Sequence, residues 1–337
     1  MTTVVSAPGA VLELRSHLDQ RGLHRAFVVT TGGRSAALVS PTALLGDSLC
    51  DVFSAAREHV PVDTIADALI RFRAARGDAC IAIGGGSAIG LGKAIARATG
   101  APLVAVPTTY SGSEMTSIWG ETGDTGKRTG RDPAAKPSLV IYDVTLTLGL
   151  PADVSAASGM NAMAHAVEAM YAANATEDTC VMAAESARLL AEGLPGVVKK
   201  GSDLVARSAV LSGAHLAGRA LEAAAMGLHH RICHVLGGTF RLPHARTHAA
   251  VLPHVVAFNA PAAARAMERI GHAIGNPDVA TGLSMLNHTL GLNATLGALG
   301  LRPDDIDRAA DEVTATPYPN PRTASREDVR SLLAAAL

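Results

Sequence analysis

The stretch that decides the fold is IAIGGGSAIGLGKAIA, residues 81–96. An apolar strand ends there in three consecutive glycines, and a helix is predicted to begin at about Ala88. Glycine lets the backbone approach a ligand closely, and the free N–H groups at a helix start favour an anion such as phosphate. The spacing matches neither the GxGxxG turn of a Rossmann fold nor a Walker loop. Two interpretations therefore stand: a phosphate-binding turn, or a tight strand-to-helix connection without a ligand.

Apolar runs on both sides of this stretch predict the rest of a sheet. Residues 25–31 (RAFVVTT), 102–109 (PLVAVPTT) and 138–143 (SLVIYD) have the continuous apolar character of buried parallel strands. Residues 62–77 carry apolar side chains at helical spacing. Strands that alternate with helices predict a parallel sheet with both faces covered, which is an α/β domain.

From about Pro151 the chain changes character. It becomes rich in alanine and leucine with helical periodicity, and strand patterns nearly disappear. We therefore predict an α/β dinucleotide-binding domain at residues 1–151 and an all-α domain at residues 152–337. A cleft between the two domains is the expected place for a small ligand.

A second polar segment, VPTTYSGSEMT at residues 106–116, follows the next predicted strand. Thr108, Thr109 and Ser113 would then lie at the carboxyl edge of the sheet, where open α/β folds bind ligands. A solvated loop that uses serine and threonine in its turns is the alternative. Beside the glycine-rich turn, these hydroxyl groups favour a dinucleotide whose riboses contact them.

Histidines mark the helical half. In GMNAMAHAVEAMY, residues 159–171, Asn161 and His165 are four residues apart and share one helical face. A carboxylate and a histidine at that spacing would indicate two metal ligands, but the first partner here is an amide. Six of the thirteen histidines fall within 26 residues: His229, His230, His234, His244, His248 and His254. Because metal ligation, proton transfer and anion binding all use imidazole, we expect two or three of them to be functional.

The segment GKRTGRD, residues 126–132, is predicted to be a loop between two strand-like segments. Its cations include Lys127 and Arg128. Such a loop is ordinarily a solvated charged turn. At the carboxyl edge of the sheet it would instead supply positive charge to an acidic substrate.

Composition excludes several classes of partner. Charged residues make up 18% of the 337, and the net charge is −1, so neither nucleic acid nor an anionic membrane is expected as a partner. No apolar run is long enough to span a bilayer, and the N-terminal residues lack the pattern of a signal peptide. The four cysteines form no CxxC pair, which favours a reducing compartment, so we expect a cytoplasmic protein.

Six motifs together resemble the maleylacetate reductases, a branch of the iron-containing alcohol dehydrogenase superfamily. They are GGGSAIGLGKAIA (84–96), PTTYSGSEMT (107–116), GKRTGRDP (126–133), SGMNAMAHAVEAMY (158–171), HHRICHVLGGTFRLPHARTHAAVLPH (229–254) and YPNPR (318–322). They occur in the same order over nearly the whole chain. The resemblance implies a dehydroquinate synthase-like fold, a homodimer, and NADH- or NADPH-dependent reduction of maleylacetate to 3-oxoadipate in the catabolism of aromatic compounds.

The resemblance also implies site residues. Those expected at the cofactor are Gly85, Gly86, Ser87, Gly90, Thr108 and Thr109. Those expected to bind a small dicarboxylate substrate are Lys127, Arg128, Asn161 and Ser113. The expected catalytic residues are His165, His230, His234 and His244.

The metal question follows from the same resemblance. In metal-dependent relatives an aspartate and three histidines hold iron or zinc, and those positions match Asn161, His165, His230 and His244 here. Because a neutral amide holds a divalent cation far less well than a carboxylate does, no catalytic metal is expected. The histidines are then available to donate protons or bind anions.

The segment at residues 30–38 keeps other functions open. Residues 30–38, TTGGRSAAL, contain no acid to hold a ribose 2′-hydroxyl group, whereas Arg34 suits a 2′-phosphate. The first alternative is a non-redox cyclase, isomerase or lyase on the same scaffold in a biosynthetic pathway. A binding protein without catalysis is the second, and the dense histidine cluster argues against it. Oxidation of NADH or NADPH in the presence of maleylacetate separates the first alternative from the reductase.

Overall fold

The computed structural model describes residues 2–32, 39–123 and 126–337. The chain forms two compact units, Met1–Leu150 and Pro151–Leu337. The first is a parallel α/β unit and the second is helical, so the predicted fold class is confirmed.

The first unit is built on a six-stranded sheet in the order β1-β8-β5-β4-β2-β3, in which every neighbouring pair is parallel. A separate two-stranded antiparallel hairpin is formed by β6 and β7. The strands are β1 (Thr3–Ser6), β2 (Ala26–Val29), β3 (Leu49–Phe53), β4 (Ala79–Gly84), β5 (Leu103–Pro107), β6 (Ile118–Gly123), β7 (Gly126–Arg131) and β8 (Leu139–Tyr142). Strands β2, β4, β5 and β8 are buried along their whole length, as a sheet covered on both faces requires.

Helices cover the faces of this sheet. They are α1 (Leu14–Asp19), α2 (Pro41–Leu45), α3 (Val62–Ala74) and α4 (Gly86–Thr99). Phe72 of α3 packs edge-on against Phe27 of β2, with ring centroids 5.3 Å apart. Helix α4 lies so close to the sheet that a Cβ on Gly92 would be 2.8 Å from Leu103 of β5. These contacts fix the start of α4 at the carboxyl end of β4.

The four strands predicted from apolar runs are confirmed, and so is the helix predicted at residues 62–77. Strands β1 and β3 were not predicted, because β1 is largely exposed and begins and ends in polar residues, and β3 has an aspartate at its centre. The prediction of a loop at residues 126–132 was wrong. Residues Gly126–Arg131 form strand β7, whose register sets Lys127 opposite Thr122 and Arg128 opposite Glu121. A two-stranded ribbon has no buried apolar face, so its sequence lacks the pattern by which strands are recognised.

The second unit is helical throughout its described residues. Its helices are α5 (Ala152–Met170), α6 (Glu177–Lys199), α7 (Leu204–Ala223), α8 (Leu228–Gly238), α9 (His244–Asn259), α10 (Ala264–Ile274), α11 (Val279–Thr289), α12 (Ile306–Thr314) and α13 (Arg326–Ala335). Over the described part of the chain, no helix is both long and apolar enough to cross a membrane.

Small residues let the long helices of this unit pack closely. A Cβ on Gly159 of α5 would overlap the side chain of Leu194 on α6, and one on Gly213 of α7 would lie 2.9 Å from Leu190. Nearly every side chain of α5 from Ser155 to Met170 is buried, polar ones included. Buried polar groups need hydrogen-bond partners. The buried polar residues of α5 therefore indicate where a functional site in this unit is to be sought.

Candidate functional site

The glycine-rich turn joins β4 to α4 at the carboxyl edge of the sheet. Gly84 ends the strand with φ 150°, a backbone conformation that residues with a Cβ rarely adopt. Gly85 is the N-cap residue of α4. No side chain caps this helix start. The N–H groups of its first turn, which include those of Gly86 and Ser87, therefore have no side-chain cap, as in helix starts that bind anions.

Three positions of this turn are occupied by glycine for different reasons. A Cβ on Gly85 would lie 2.8 Å from Thr109, and one on Gly90 would lie 2.7 Å from Val60, so both positions are required by packing. At Gly86 the nearest atom would be 4.0 Å away. Open space beside a helix N-terminus is the room that a phosphate group needs. Gly86 is thus the glycine whose small size packing does not explain.

The hydroxyl-rich segment lies next to this turn. The backbone N–H of Thr108 donates to the carbonyl of Gly84 over 3.0 Å, which extends the pairing of β4 with β5 beyond the strands. Thr108 is buried and Thr109 packs against Gly85. Ser113 is partly exposed in a short 3₁₀ turn that begins after Gly112. The phosphate turn and the predicted ribose-binding hydroxyl groups therefore share one edge of the sheet.

Two buried ionisable residues hold this segment, Glu114 within it and Lys93 of α4, which the sequence did not single out. Burial raises the pKa of Glu114, although its own backbone N–H and the phenol of Tyr142, which donates over 2.8 Å, act in the opposite direction. The ammonium group of Lys93 donates to Thr116 over 2.9 Å and to the carbonyl of Ile118 over 2.7 Å. A lysine inside an otherwise apolar stretch, as in GLGKAIA, is the signal that could have identified this support.

The basic residues lie on the hairpin rather than on a loop. Burial lowers the pKa of His59, and the positive charge of Lys127 lowers it further, so the two side chains are neighbours. His59 and Val60 have φ values of 62° and 49°, a left-handed conformation that is strained for both residue types. Thr122 of the hairpin holds this segment in place. Its hydroxyl donates to the carbonyl of His59 over 2.9 Å, and its backbone N–H donates to the carbonyl of Val60 over 3.1 Å. Arg128, which lies on β7 next to Lys127, is exposed.

In the second unit, α5 presents Asn161, His165 and Glu168 on one buried face. The amide nitrogen of Asn161 is 3.2 Å from Nε2 of His165. Nδ1 of His165 is 2.7 Å from Nε2 of His230 on α8. Nδ1 of His230 in turn contacts the carboxylate of Glu168. These four side chains form a continuous row, which we call the Asn161–Glu168 row.

Glu168 also fixes the start of α8. Its Oε1 accepts the backbone N–H of His229 over 2.8 Å, and its Oε2 accepts that of His230 over 3.3 Å. Burial acts to raise the pKa of Glu168, but His230 and the N–H of His229 outweigh it, and the pKa lies below its ordinary value. A carboxylate from α5 therefore caps the positive end of α8.

The YPNPR motif, residues 318–322, meets the same helix start. Asn320 accepts a hydrogen bond from the backbone N–H of Leu228 over 3.4 Å and one from the amide of Asn259 over 3.1 Å. Gly227 precedes α8, and a Cβ there would lie 2.5 Å from the carbonyl of Pro319. The motif is thus a structural support for the helix that carries His230 and His234.

Six histidines, all in the second unit, were candidates, and five of them join His165 in one cluster of rings. Centroid distances are 4.9 Å for His165–His230, 6.1 Å for His230–His234, 5.0 Å for His230–His248, 4.5 Å for His244–His248 and 4.9 Å for His229–His248. Burial lowers the pKa of His229 to about 3 and holds that of His248 well below its ordinary value. At neutral pH those two rings are uncharged packing partners of the others.

The donor set does not fit an iron or zinc site of the family type. The matching positions offer an amide and three imidazoles but no carboxylate. Nδ1 of His165 and Nε2 of His230 also face each other at hydrogen-bond distance. In the described chain, one further group has donor atoms within 4.8 Å of one another, namely His229, Cys233 and His248, and there the two ring nitrogens are hydrogen-bonded at 2.9 Å.

The predicted site residues thus fall into three local groups, one of which is Lys127 and Arg128 on the hairpin. Gly86, Ser87, Thr108, Thr109 and Ser113 lie at the sheet edge of the first unit, and Asn161 joins the histidine cluster of the second. Glu168 is the main residue that the sequence did not indicate. A carboxylate three residues after His165 on the same helical face is the signal that could have identified it. Arg34 lies outside the described residues.

Comparisons with known proteins cover the whole chain. Residues 1–144 match the family model described as iron-containing alcohol dehydrogenase, and residues 155–337 match the C-terminal model of the Fe-containing alcohol dehydrogenase family. A maleylacetate reductase from Sphingobium indicum is 45% identical over 99% of this chain and 95% of its own length. One from Burkholderia cepacia is 44% identical over 98% and 94%. The crystal structure of maleylacetate reductase from Rhizobium sp. strain MTP-10005 superimposes with a TM-score of 0.93 at 41% identity, over 99% of this chain and 95% of that one.

Proposed function

Because the chain belongs to the iron-containing alcohol dehydrogenase family, we propose that it is a maleylacetate reductase that uses NADH or NADPH and needs no catalytic metal. The observation that carries this proposal is the likeness to proteins named maleylacetate reductase along nearly the whole chain. The same likeness leaves the non-redox alternative without support. The reaction adds one hydride and one proton to maleylacetate and yields 3-oxoadipate.

The cofactor is held by the first unit in this proposal. Gly86 and Ser87 supply backbone N–H groups to the pyrophosphate, and Gly85 and Gly90 keep the turn compact. Thr108 and Thr109 contact the nicotinamide side. The bound nicotinamide supplies the hydride. The residues of this chain would hold it in a fixed position, because the turn and the hydroxyl-rich segment are fixed to each other by packing and by the Thr108–Gly84 hydrogen bond.

The substrate is recognised by charge in this proposal. Maleylacetate carries two carboxylates, and Lys127 and Arg128 bind them through charge-assisted hydrogen bonds, with Ser113 and Asn161 adding neutral ones. Hydride addition leaves negative charge on an oxygen of the substrate. A histidine among His165, His230, His234 and His244 donates the proton there. No Lewis acid is needed where cations stabilise the developing charge.

We further propose a cytoplasmic homodimer. The cysteines Cys50, Cys80, Cys180 and Cys233 are free thiols, as in a reducing compartment. The dimer rests on the family resemblance. Sedimentation of the purified protein at catalytic concentration tests it, and a monomer that is fully active would contradict it.

The decisive experiment measures oxidation of NADH and of NADPH with maleylacetate, from the loss of the absorbance of the reduced nicotinamide, and identifies 3-oxoadipate as the product. A reaction without maleylacetate is the control. Activity should survive exhaustive treatment with a chelator. Nucleotide binding without oxidation of either cofactor would overturn the reductase. Stoichiometric iron or zinc in the purified protein, with activity lost to the chelator, would overturn its independence of metal.

A further inference from the structure

We propose that Glu168 is a positioning residue that fixes the tautomers of His230 and His165, so that the hydrogen bonds of the Asn161–Glu168 row all run in one direction. The inference rests on the proposed function, in which these histidines handle the proton. It assigns a task to a buried carboxylate that belongs to none of the predicted catalytic, substrate or cofactor residues.

The first step concerns the carboxylate itself. Glu168 is buried, and hydrogen bonds donated to a buried carboxyl group favour its ionised form. Its oxygens accept the backbone N–H groups of His229 and His230. An ionised carboxylate has no hydrogen to donate. The ring nitrogen that contacts it, Nδ1 of His230, must therefore carry the proton.

The second step passes this constraint to His165. A neutral imidazole carries one N–H, so Nε2 of His230 can only accept. The atom 2.7 Å from it, Nδ1 of His165, must then be the donor. That leaves Nε2 of His165 as an acceptor, and it faces the amide nitrogen of Asn161 at 3.2 Å. One carboxylate thus fixes the orientation of two rings on two helices.

The chemical consequence is that neither neutral ring has an N–H directed outside the row. A proton that leaves for the substrate through His165 must first be added at its Nε2, beside Asn161. An amide suits that position, since it can turn to present its oxygen to the new N–H, whereas a carboxylate could only accept. The sequence departure at position 161 then has a reason in proton transfer as well as in the loss of a metal ligand.

A purely structural role for Glu168, as the cap of α8, is the competing explanation. The test is NMR of the full-length protein labelled with ¹⁵N in the histidine rings, with signals assigned from His165→Asn and His230→Asn. We expect both rings of the wild type to be protonated at Nδ1. Protonation of either ring at Nε2 in the neutral form would overturn the proposal.

The variant Glu168→Gln separates the two roles. The oxygen of glutamine can still accept the backbone N–H of His229, but its NH₂ replaces Oε2 and can donate to Nδ1 of His230, so the row is free to reverse. We expect His230 to shift toward the Nε2-protonated form and kcat to fall by roughly 10²-fold or more with little change in KM. Glu168→Asp should retain the Nδ1 tautomers and recover part of kcat. The exposed acid Glu268 on α10 provides the control, since Glu268→Gln should change neither measurement.

If Glu168→Gln does not fold, Asn161→Asp in the presence of a chelator still tests the direction of the row. A carboxylate facing Nε2 of His165 should draw a proton onto that nitrogen, and the NMR signal should become that of a doubly protonated ring. An unchanged His165 signal would overturn the proposal. Correct tautomers in a wild type that oxidises neither NADH nor NADPH would overturn the proposed function and leave the tautomer assignment supported.

Discussion

The phosphate turn of the first unit and the histidine cluster of the second are built in different ways. The turn would bind its proposed ligand through backbone groups: a strand ends, Gly86 leaves room, and the first N–H groups of α4 have no side-chain cap. The cluster uses side chains from three helices, and the carboxylate of Glu168, which contacts His230, also caps one of them. A backbone site is destroyed by adding bulk, whereas a side-chain row is destroyed by changing which atoms donate.

The largest effect is expected from bulk at Gly86. The nearest atom to a Cβ there would be 4.0 Å away, so Gly86→Val should fold, but its side chain would occupy the space of the pyrophosphate. Affinity for NADH and NADPH, measured by calorimetry, should fall by about 10³-fold or more, which is roughly 4 kcal/mol.

Gly90→Ala is the matched control in the same helix. Its Cβ would press on Val60, so it should lower Tm more than it lowers affinity. Unchanged nucleotide affinity in Gly86→Val would remove the phosphate assignment from this turn.

Removing a ring from the cluster should act on the chemical step. His230→Ala deletes the centre of the row, and kcat should fall by ~10²-fold or more with a smaller change in KM. His234→Ala and His244→Ala should fall in the same range if either ring passes on the proton. His254→Ala, on helix α9 with His244, is the control and should stay near wild type. Near-normal kcat/KM in all three cluster variants would mean that the histidines only pack.

The turn is local in sequence, whereas the cluster is assembled from distant residues. That difference explains which features the sequence predicted. The pattern strand–glycines–helix is local, so residues 81–96 were sufficient to place the turn. Strand β7 was missed because its glycine- and arginine-rich sequence, GKRTGR, has no apolar face. The role of Glu168 depends on partners 61 and 62 residues further along the chain, and only the packing of α5 on α8 brings them together. Residue types therefore predicted which histidines come together, but not the carboxylate that contacts them.

A smaller effect is expected at the hairpin. Lys127→Ala removes one cation from the proposed substrate contacts, and KM for maleylacetate should rise about ten- to a hundred-fold, the cost of one charge-assisted hydrogen bond. The kcat value should change little. Arg73→Ala removes an exposed cation from α3 and should leave KM unchanged. A fall in kcat without a rise in KM for Lys127→Ala would move this residue from substrate binding to the chemical step.

The smallest effect is one of stability, and it is specific to the second unit. Burial lowers the pKa of His229 to about 3, below its ordinary value near 6.5. Between those two values the unfolded chain binds a proton at this position and the folded chain does not, so stability is complete above about pH 6.5 and declines as pH falls. The cost is about 1.4 kcal/mol per pH unit for one such group. His248, whose pKa is also lowered by burial and by neighbouring histidines, adds to the same slope.

His229→Gln removes the titrating ring but retains a side chain able to hydrogen-bond. The loss of unfolding free energy between about pH 7 and pH 5, measured with denaturant, should shrink by about 2 kcal/mol relative to the wild type. His272→Gln on α10 is the control and should leave that difference unchanged, because this ring lies outside the contacts of the cluster within the described chain. An acid sensitivity that His229→Gln leaves intact would mean that the His229 ring is hydrated or charged in the folded state. The histidine cluster would then be an open acid–base site rather than a dry group of neutral rings.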